Sequence, residues 1–202
     1  MYLFHSFDAR TPLDEGLEAL TRAVEQGKIR VAGCSNFSAV QLRESLAISS
    51  SRGLQRLEEV QPPYSLVERS IESDLLPLCA QEQIAVVSYS PLGAGFLSGK
   101  YERRLIPKGS RFDVIPGHAD IYFTDQKFAI VERLRQKSTE TDHSMVRLAM
   151  GWVLKKQGIT SVLVGASGLG HQENANEATE MDFPDAWVRE MDGWGANAKR
   201  SD

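Results

Sequence analysis

Polar side chains recur directly after short apolar runs along this chain. His5-Ser6 follows Tyr2-Leu3-Phe4, and Ser35-Asn36 comes just after the run 29–32. Gln61 closes 57–61, Tyr89-Ser90 follows 84–88, and Ser167 comes just after 161–164. Ser, Asn and Gln offer donors and acceptors in fixed geometry, which is what recognition of an amide requires. The same residues also cap helices and build turns after strands. A His at a strand end either rests on a backbone carbonyl or faces a ligand, and the residue type alone leaves both open. His118 in a long loop reads as a solvated side chain and His143 as a helix-start residue. No spacing among His, Cys, Asp and Glu suggests a metal site. Cys34 has no neighbouring base in the sequence to activate it.

The elements that must carry these residues alternate. After the first run, Thr11 is placed to cap a helix with Pro12 at its first position. Leu13, Leu17, Leu20 and Val24 give that helix an apolar stripe, and Gly27 stops it. A strand at 29–32 precedes a second helix opened by Ser38, with Gln41 completing a capping box and Phe37 and Leu42 at staple positions. Gly53 ends it. A third strand at 57–61 leads to a helix at 71–82, in which Pro77 is expected to introduce a kink. The fourth strand, 84–88, reads as buried on both faces. The stretch 93–124 has Gly, Pro and little periodicity, the mark of a long functional loop. Helices at 125–137 and 143–156, a fifth strand at 161–164 and a helix from about 172 follow. Residues 183–202 are left as an unassigned tail.

With 202 residues, 42% hydrophobic and 25% charged, the chain has the bulk of a globular domain. Its net charge of −4 leaves no electrostatic footprint for nucleic acid or an anionic membrane. No apolar run is long enough to span a bilayer. The first six residues lack the basic start and cleavage site of a signal peptide. Two widely separated cysteines, Cys34 and Cys79, fit a reducing cytoplasm. Strand–helix alternation with short connections implies a parallel sheet covered by helices. No G-x-G-x-x-G follows the first strand, so the dinucleotide-fold fingerprint is missing. Polar residues at five successive strand ends favour a β/α barrel, which builds its active site there.

Six segments make the reading specific. They are His5-Ser6-Phe7-Asp8, Gly27-Lys28-Ile29-Arg30, Gly33-Cys34-Ser35-Asn36-Phe37-Ser38, Gln61-Pro62-Pro63-Tyr64-Ser65-Leu66, Tyr89-Ser90-Pro91-Leu92-Gly93-Ala94-Gly95 and Val164-Gly165-Ala166. In order and spacing they resemble consecutive landmarks of the aldo-keto reductases, across roughly residues 2–180. The resemblance implies an α/β fold of the (β/α)8 TIM-barrel type, N-terminally truncated to about five β/α units (strands 4–8). It treats 1–202 as a single domain, with 93–124 as a cofactor and substrate loop.

What the resemblance implies for function is hydride transfer from NADP(H) that converts a small-molecule carbonyl to an alcohol. His5 matches the family His that orients the carbonyl. Ser35, Asn36 and Gln61 match residues that hold the nicotinamide carboxamide, and Tyr89 matches the aromatic that stacks on its ring. Ser90, Leu92 and Gly95 match the segment over the pyrophosphate, where glycines let backbone N–H groups come close; Lys100 adds charge nearby. Ser167 begins the adenosine 2′-phosphate segment, and Gln172 and Asn174 match the adenine-contacting helix. An Arg or Lys expected after Gly165-Ala166 is replaced by Ser-Gly-Leu-Gly, so NAD(H) stays open beside NADP(H).

The family's Tyr, which protonates the substrate oxygen, and the Lys–Asp pair that raises its acidity belong to strands before the His strand. The expectation is therefore a truncated reductase with impaired or no activity. The alternative is a non-catalytic cofactor-binding or regulatory protein resembling potassium-channel β subunits. Neither nucleic acid nor membrane is expected as a partner. Open sheet edges are expected to drive self-association.

Overall fold

The computed structural model describes residues 1–103, 105–166 and 168–195. Strands β1 (Tyr2–Phe4), β2 (Ala32–Ser35), β3 (Glu59–Gln61), β4 (Ala85–Ser88) and β5 (Ser161–Val162) form one sheet in chain order. The pairs from β1 to β4 are parallel. Leu3, Gly33, Glu59 and Ala85 lie side by side across them, and so do Phe4, Cys34, Val60 and Val86. Because side chains alternate along a strand, these two rows point to opposite faces. His5, Ser35 and Gln61, each two residues further on, share the face of the Leu3–Gly33–Glu59 row. The parallel α/β sheet of five strands matches the sequence expectation.

Two compact units divide the chain. The first comprises Met1–Pro63, Ser70–Tyr89 and Gly158–Ser161, and holds helices α1 (Leu13–Glu25), α2 (Ala39–Arg52) and α3 (Leu75–Glu82). Leu17 and Leu20 of α1 are buried, and the helix stops at Gly27 with φ 68°. Ser38 and Gln41 form the expected capping box on α2, and Gly53 ends it at φ 64°.

Four local expectations need correction. Pro12, not Thr11, occupies the cap of α1; the Thr11 hydroxyl donates to Asp8 Oδ2 at 3.1 Å instead. The strand expected at 29–32 begins at Ala32, because the N–H groups of Lys28 and Ile29 both return to the Ala23 carbonyl to finish α1. Helix α3 starts at Leu75, capped by Asp74 and preceded by a separate 3-10 turn, Ser70–Glu72. Pro77 thus sits in the first turn, where an N–H has no intrahelical partner to lose, so no kink follows. Strand β4 alternates half-buried and buried residues and is not closed on both faces.

The second unit comprises Tyr64–Arg69, Ser90–Gln157 and the residues from Val162 onward. It holds α4 (Arg111–Val114), α5 (Gly117–Tyr122), α6 (Asp125–Thr141), α7 (Met145–Lys155), α8 (Leu169–Glu180) and α9 (Asp185–Asp192). The segment 93–124, expected as a loop, contains a 3-10 turn at Phe96–Ser98 together with α4 and α5. Phe96, Tyr101, Phe112, Tyr122, Phe123 and Phe128 pack ring to ring there, with centroids 4.6 Å apart for Tyr101–Phe112 and 5.0 Å for Phe96–Phe128. Aromatic pairs bury large areas and favour such edge-on contacts, which gives the segment a core that periodicity does not reveal.

The unassigned tail contains α9. Its Asp192 accepts from Trp152 Nε1 and Lys156 Nζ, both at 2.9 Å, and its carbonyl accepts from Arg69 Nη1 at 2.8 Å. Gly151 of α7 allows the Phe183 ring to approach; a Cβ there would lie 2.6 Å from Phe183 Cδ2.

Candidate functional site

Within the first unit, the structure brings five of the expected residues together at the C-terminal ends of β1 to β4. Asn36 is their hub. It follows β2 with φ 57°, a left-handed conformation that Asn tolerates better than most residues. Its Nδ2 donates to the His5 carbonyl at 2.9 Å and to Ser35 Oγ at 3.2 Å. Its Oδ1 accepts from the Tyr89 hydroxyl at 2.7 Å. Ser35 Oγ donates to the Gln61 carbonyl at 2.8 Å, and the Asn36 backbone N–H reaches the same carbonyl at 3.3 Å. Tyr89 N–H donates to the Pro62 carbonyl at 3.0 Å, continuing the ladder past β4. The cluster thus ties four strand ends with hydrogen bonds, while the His5 imidazole stays exposed.

Sequence reasoning missed one residue of this face. Glu59 precedes Gln61 by two positions on β3 and is 4% exposed. Its Oε1 has no partner. Burial pushes the Glu59 carboxyl above the ordinary carboxylate range. The available signal was an acid in phase with Gln61 beside the buried Val60. Cys34, on the opposite face, is fully buried; burial pushes its thiol up to about 12, and that of Cys79 up to about 11. Neither thiol is a nucleophile at neutral pH.

In the second unit, Ser90 (φ 56°), Gly93 (φ 56°), Ala94 (φ 57°) and Gly95 (φ 88°) give a tightly coiled backbone. The Ser90 carbonyl accepts from Gly93 N–H, and the Leu92 carbonyl accepts from Gly95 and Leu97 N–H. The Leu92 side chain packs on Met150, Ala175 and Ala178, which sets this turn against α7 and α8. A Cβ on Gly95 would lie 3.8 Å from Lys100 Nζ and 4.0 Å from the Tyr101 hydroxyl, which is itself buried without a partner. Gln172 is exposed on α8, whereas Asn174 Nδ2 bonds back to the Gly170 carbonyl at 2.7 Å. Ser167 lies outside the described residues. A cavity in this unit is lined by His143, Arg147, Glu177, Glu180, Met181 and Asp182, none of them among the expected cofactor residues.

The donor set suits an amide-bearing ligand. Gln61 and Asn36 present carboxamides, Ser35 a hydroxyl and Tyr89 an aromatic face, all at one set of strand ends. The coiled backbone around Gly93–Gly95, with Lys100 beside it, has the character of an anion cradle. Among the described residues, no group of three or more His, Cys, Asp or Glu could hold a metal ion, and no helix is long and apolar enough to cross a membrane.

The chain is 31% identical over 166 residues to a probable voltage-gated potassium channel subunit beta of Oryza sativa subsp. japonica, covering 81% of this chain and 51% of that protein. It is 29% identical over 187 residues to an NADH-specific methylglyoxal reductase of Escherichia coli K12, covering 90% and 54%. A solved glycerol dehydrogenase from Gluconobacter oxydans superposes with a TM-score of 0.78 at 28% identity, over 98% of this chain and 58% of that one. The chain therefore spans little more than half the length of each of these three proteins. The family model described as Aldo/keto reductase family matches residues 1–195, and the chain belongs to that family.

Proposed function

We propose that this chain is the cofactor-holding part of an aldo-keto reductase, an oxidoreductase that converts a small carbonyl compound to its alcohol. The observation that carries the reading is the cluster of His5, Ser35, Asn36, Gln61 and Tyr89, hydrogen-bonded across four parallel strand ends. In this reading Ser35, Asn36 and Gln61 hold the nicotinamide carboxamide, and Tyr89 covers one face of the ring. Ser90, Leu92 and Gly95 line the pyrophosphate; Ser167, Gln172 and Asn174 serve the adenosine end. The cofactor supplies the hydride; the protein supplies position and hydrogen bonds. His5, exposed at the end of β1, hydrogen-bonds the carbonyl oxygen. NADP(H) is the proposed cofactor, with NAD(H) the alternative, because Ser-Gly-Leu-Gly follows Gly165-Ala166.

The barrel is the proposed context, with the described strands as its fourth to eighth. The family's proton-donating Tyr and its Lys–Asp pair have no counterpart at matching positions in these 202 residues, so weak or absent turnover is expected of this chain alone. Fluorescence titration with NADPH and with NADH tests cofactor binding. Binding of neither would defeat the reading. Turnover across an aldehyde panel that is lost in His5→Ala would show that the chain needs no further proton donor.

The potassium-channel β-subunit relative supports a second reading, a cofactor-binding or regulatory protein without turnover. The two separate when a polypeptide carrying the family's first three β/α units is added in trans. Aldehyde reduction appears under the first reading and not under the second.

A further inference from the structure

We infer that Tyr101 is a ligand-binding residue of the turn around Gly93–Gly95, its hydroxyl donating to a phosphoryl oxygen of the bound molecule. This rests on the pyrophosphate role proposed for Ser90, Leu92 and Gly95. Tyr101 is 2% exposed, and its hydroxyl is buried with no hydrogen-bond partner among the described residues. Buried hydroxyls nearly always find a partner, because an unpaired one costs folding free energy. The ring cannot swing out to water. It packs edge-on against Phe112 and Phe123, with centroids 4.6 Å and 5.9 Å away.

The hydroxyl faces the bare side of Gly95. From the place where a side chain there would begin, Lys100 Nζ stands 3.8 Å away and the Tyr101 hydroxyl 4.0 Å. Apart from the chain neighbours of Gly95, no atom comes nearer to that place. Its φ of 88° keeps larger residues out, so the space stays open. Lys100 Nζ also lies 5.1 Å from the Tyr101 ring centroid, an attraction that holds the cation at this spot. An ammonium group only donates, so it leaves the phenol proton without an acceptor. Both side chains therefore call for an acceptor with negative charge. A phosphoryl group offers several oxygens, enough to serve both donors at once.

The test compares the purified wild-type chain with Tyr101→Phe, which keeps the ring packing and removes only the hydroxyl. Two readouts should move in opposite directions. Without ligand, Tyr101→Phe should raise the urea midpoint by about 0.5 M, because an unpaired buried donor is gone. With ligand, calorimetry should show Tyr101→Phe binding inorganic pyrophosphate and NADPH roughly tenfold more weakly, the worth of one hydrogen bond to a charged group. A purely structural tyrosine would lose stability and leave affinity alone. A lowered or unmoved midpoint therefore overturns the inference, since the hydroxyl would then be satisfied in the free protein. NADPH bound equally by both proteins also overturns it and leaves the cofactor reading standing. Pyrophosphate binding that depends on Tyr101, with no binding of NADPH, supports the role of Tyr101 and defeats the cofactor reading instead. A wild-type chain that binds neither probe defeats both.

Discussion

The two faces of the β1–β4 sheet are made by alternate residues of the same short strands, yet they obey different chemistry. On one face Ala32, Cys34, Val60 and Val86 are all buried and nearly all apolar. On the other, Gly33, Ser35, Glu59 and Gln61 are small or polar, and their bonds run between strand ends. The first face is stabilised by removing area from water, which is non-directional and tolerates exchange of one apolar group for another. The second depends on close backbone approach and on which atom donates. A strand of three or four residues thus carries two independent sets of constraints. Substitutions one position apart should fail for different reasons.

The largest expected effect is on the polar face. Gly33→Ala places a Cβ 2.5 Å from Leu3 Cδ2 and 2.7 Å from the Glu59 carbonyl oxygen. Leu3 can rotate away, but a backbone oxygen in a paired strand cannot. Overpacking of this kind costs about 3 kcal/mol, read as a lowered urea midpoint. Val60→Ala removes two methyl groups from the buried apolar face and should cost about 2 kcal/mol. The contrast inverts the usual rule, since one added methyl does more harm than two lost. A Gly33→Ala protein that unfolds at the wild-type midpoint would show that the strands have slack, and the contrast between faces would fall.

This also explains what the sequence could disclose. The capping box of Ser38 and Gln41 was legible because it is local, three residues apart, and needs no tertiary partner. The strand-end residues were legible because period-two alternation places His5, Ser35 and Gln61 in one phase, and because the landmarks carried a family resemblance. Glu59 was not, since its meaning depends on Gly33 beside it, 26 positions earlier in the chain. The helical turns within 93–124 were hidden for a related reason. Phe96, Phe112 and Phe128 are spaced far beyond any helix or strand repeat, and only tertiary packing shows that they form one cluster. The misplacement of Thr11 as a cap arose from competition, because Asp8 takes its hydroxyl.

The faces also separate by pH. Burial raises the Cys34 thiol to about 12 and that of Cys79 to about 11. Between the ordinary thiol value and these values the unfolded chain sheds protons that the folded chain keeps. Stability is therefore fully present below the ordinary thiol range and lost as pH rises through the raised values, by at most about 1.4 kcal/mol per thiol per pH unit. Cys34→Ala should flatten part of the alkaline decline in urea midpoint. Glu59 has the same sign at the acid end, since its carboxyl is raised: its contribution is lost as pH climbs past the ordinary Glu range, and Glu59→Gln removes that dependence. An alkaline decline identical in Cys34→Ala and wild type would assign the loss to other groups.

The smallest effect is the most discriminating for the polar cluster. Tyr89→Phe deletes the hydroxyl that donates to Asn36 Oδ1 and leaves the ring in place. The pair is exposed, so water replaces the donor and the stability loss should be about 0.5 kcal/mol. Asn36 keeps its bonds to the His5 carbonyl and Ser35 Oγ, so the strand ends remain tied. If the aromatic face is what Tyr89 offers a nicotinamide ring, Tyr89→Phe should bind NADPH within about twofold of wild type, because stacking survives. Tyr89→Ala should bind it several-fold more weakly. Equal losses in Phe and Ala would move the function of Tyr89 from its ring to its hydroxyl. Asn36, held in place by that hydroxyl, would then be the group that the cofactor reads.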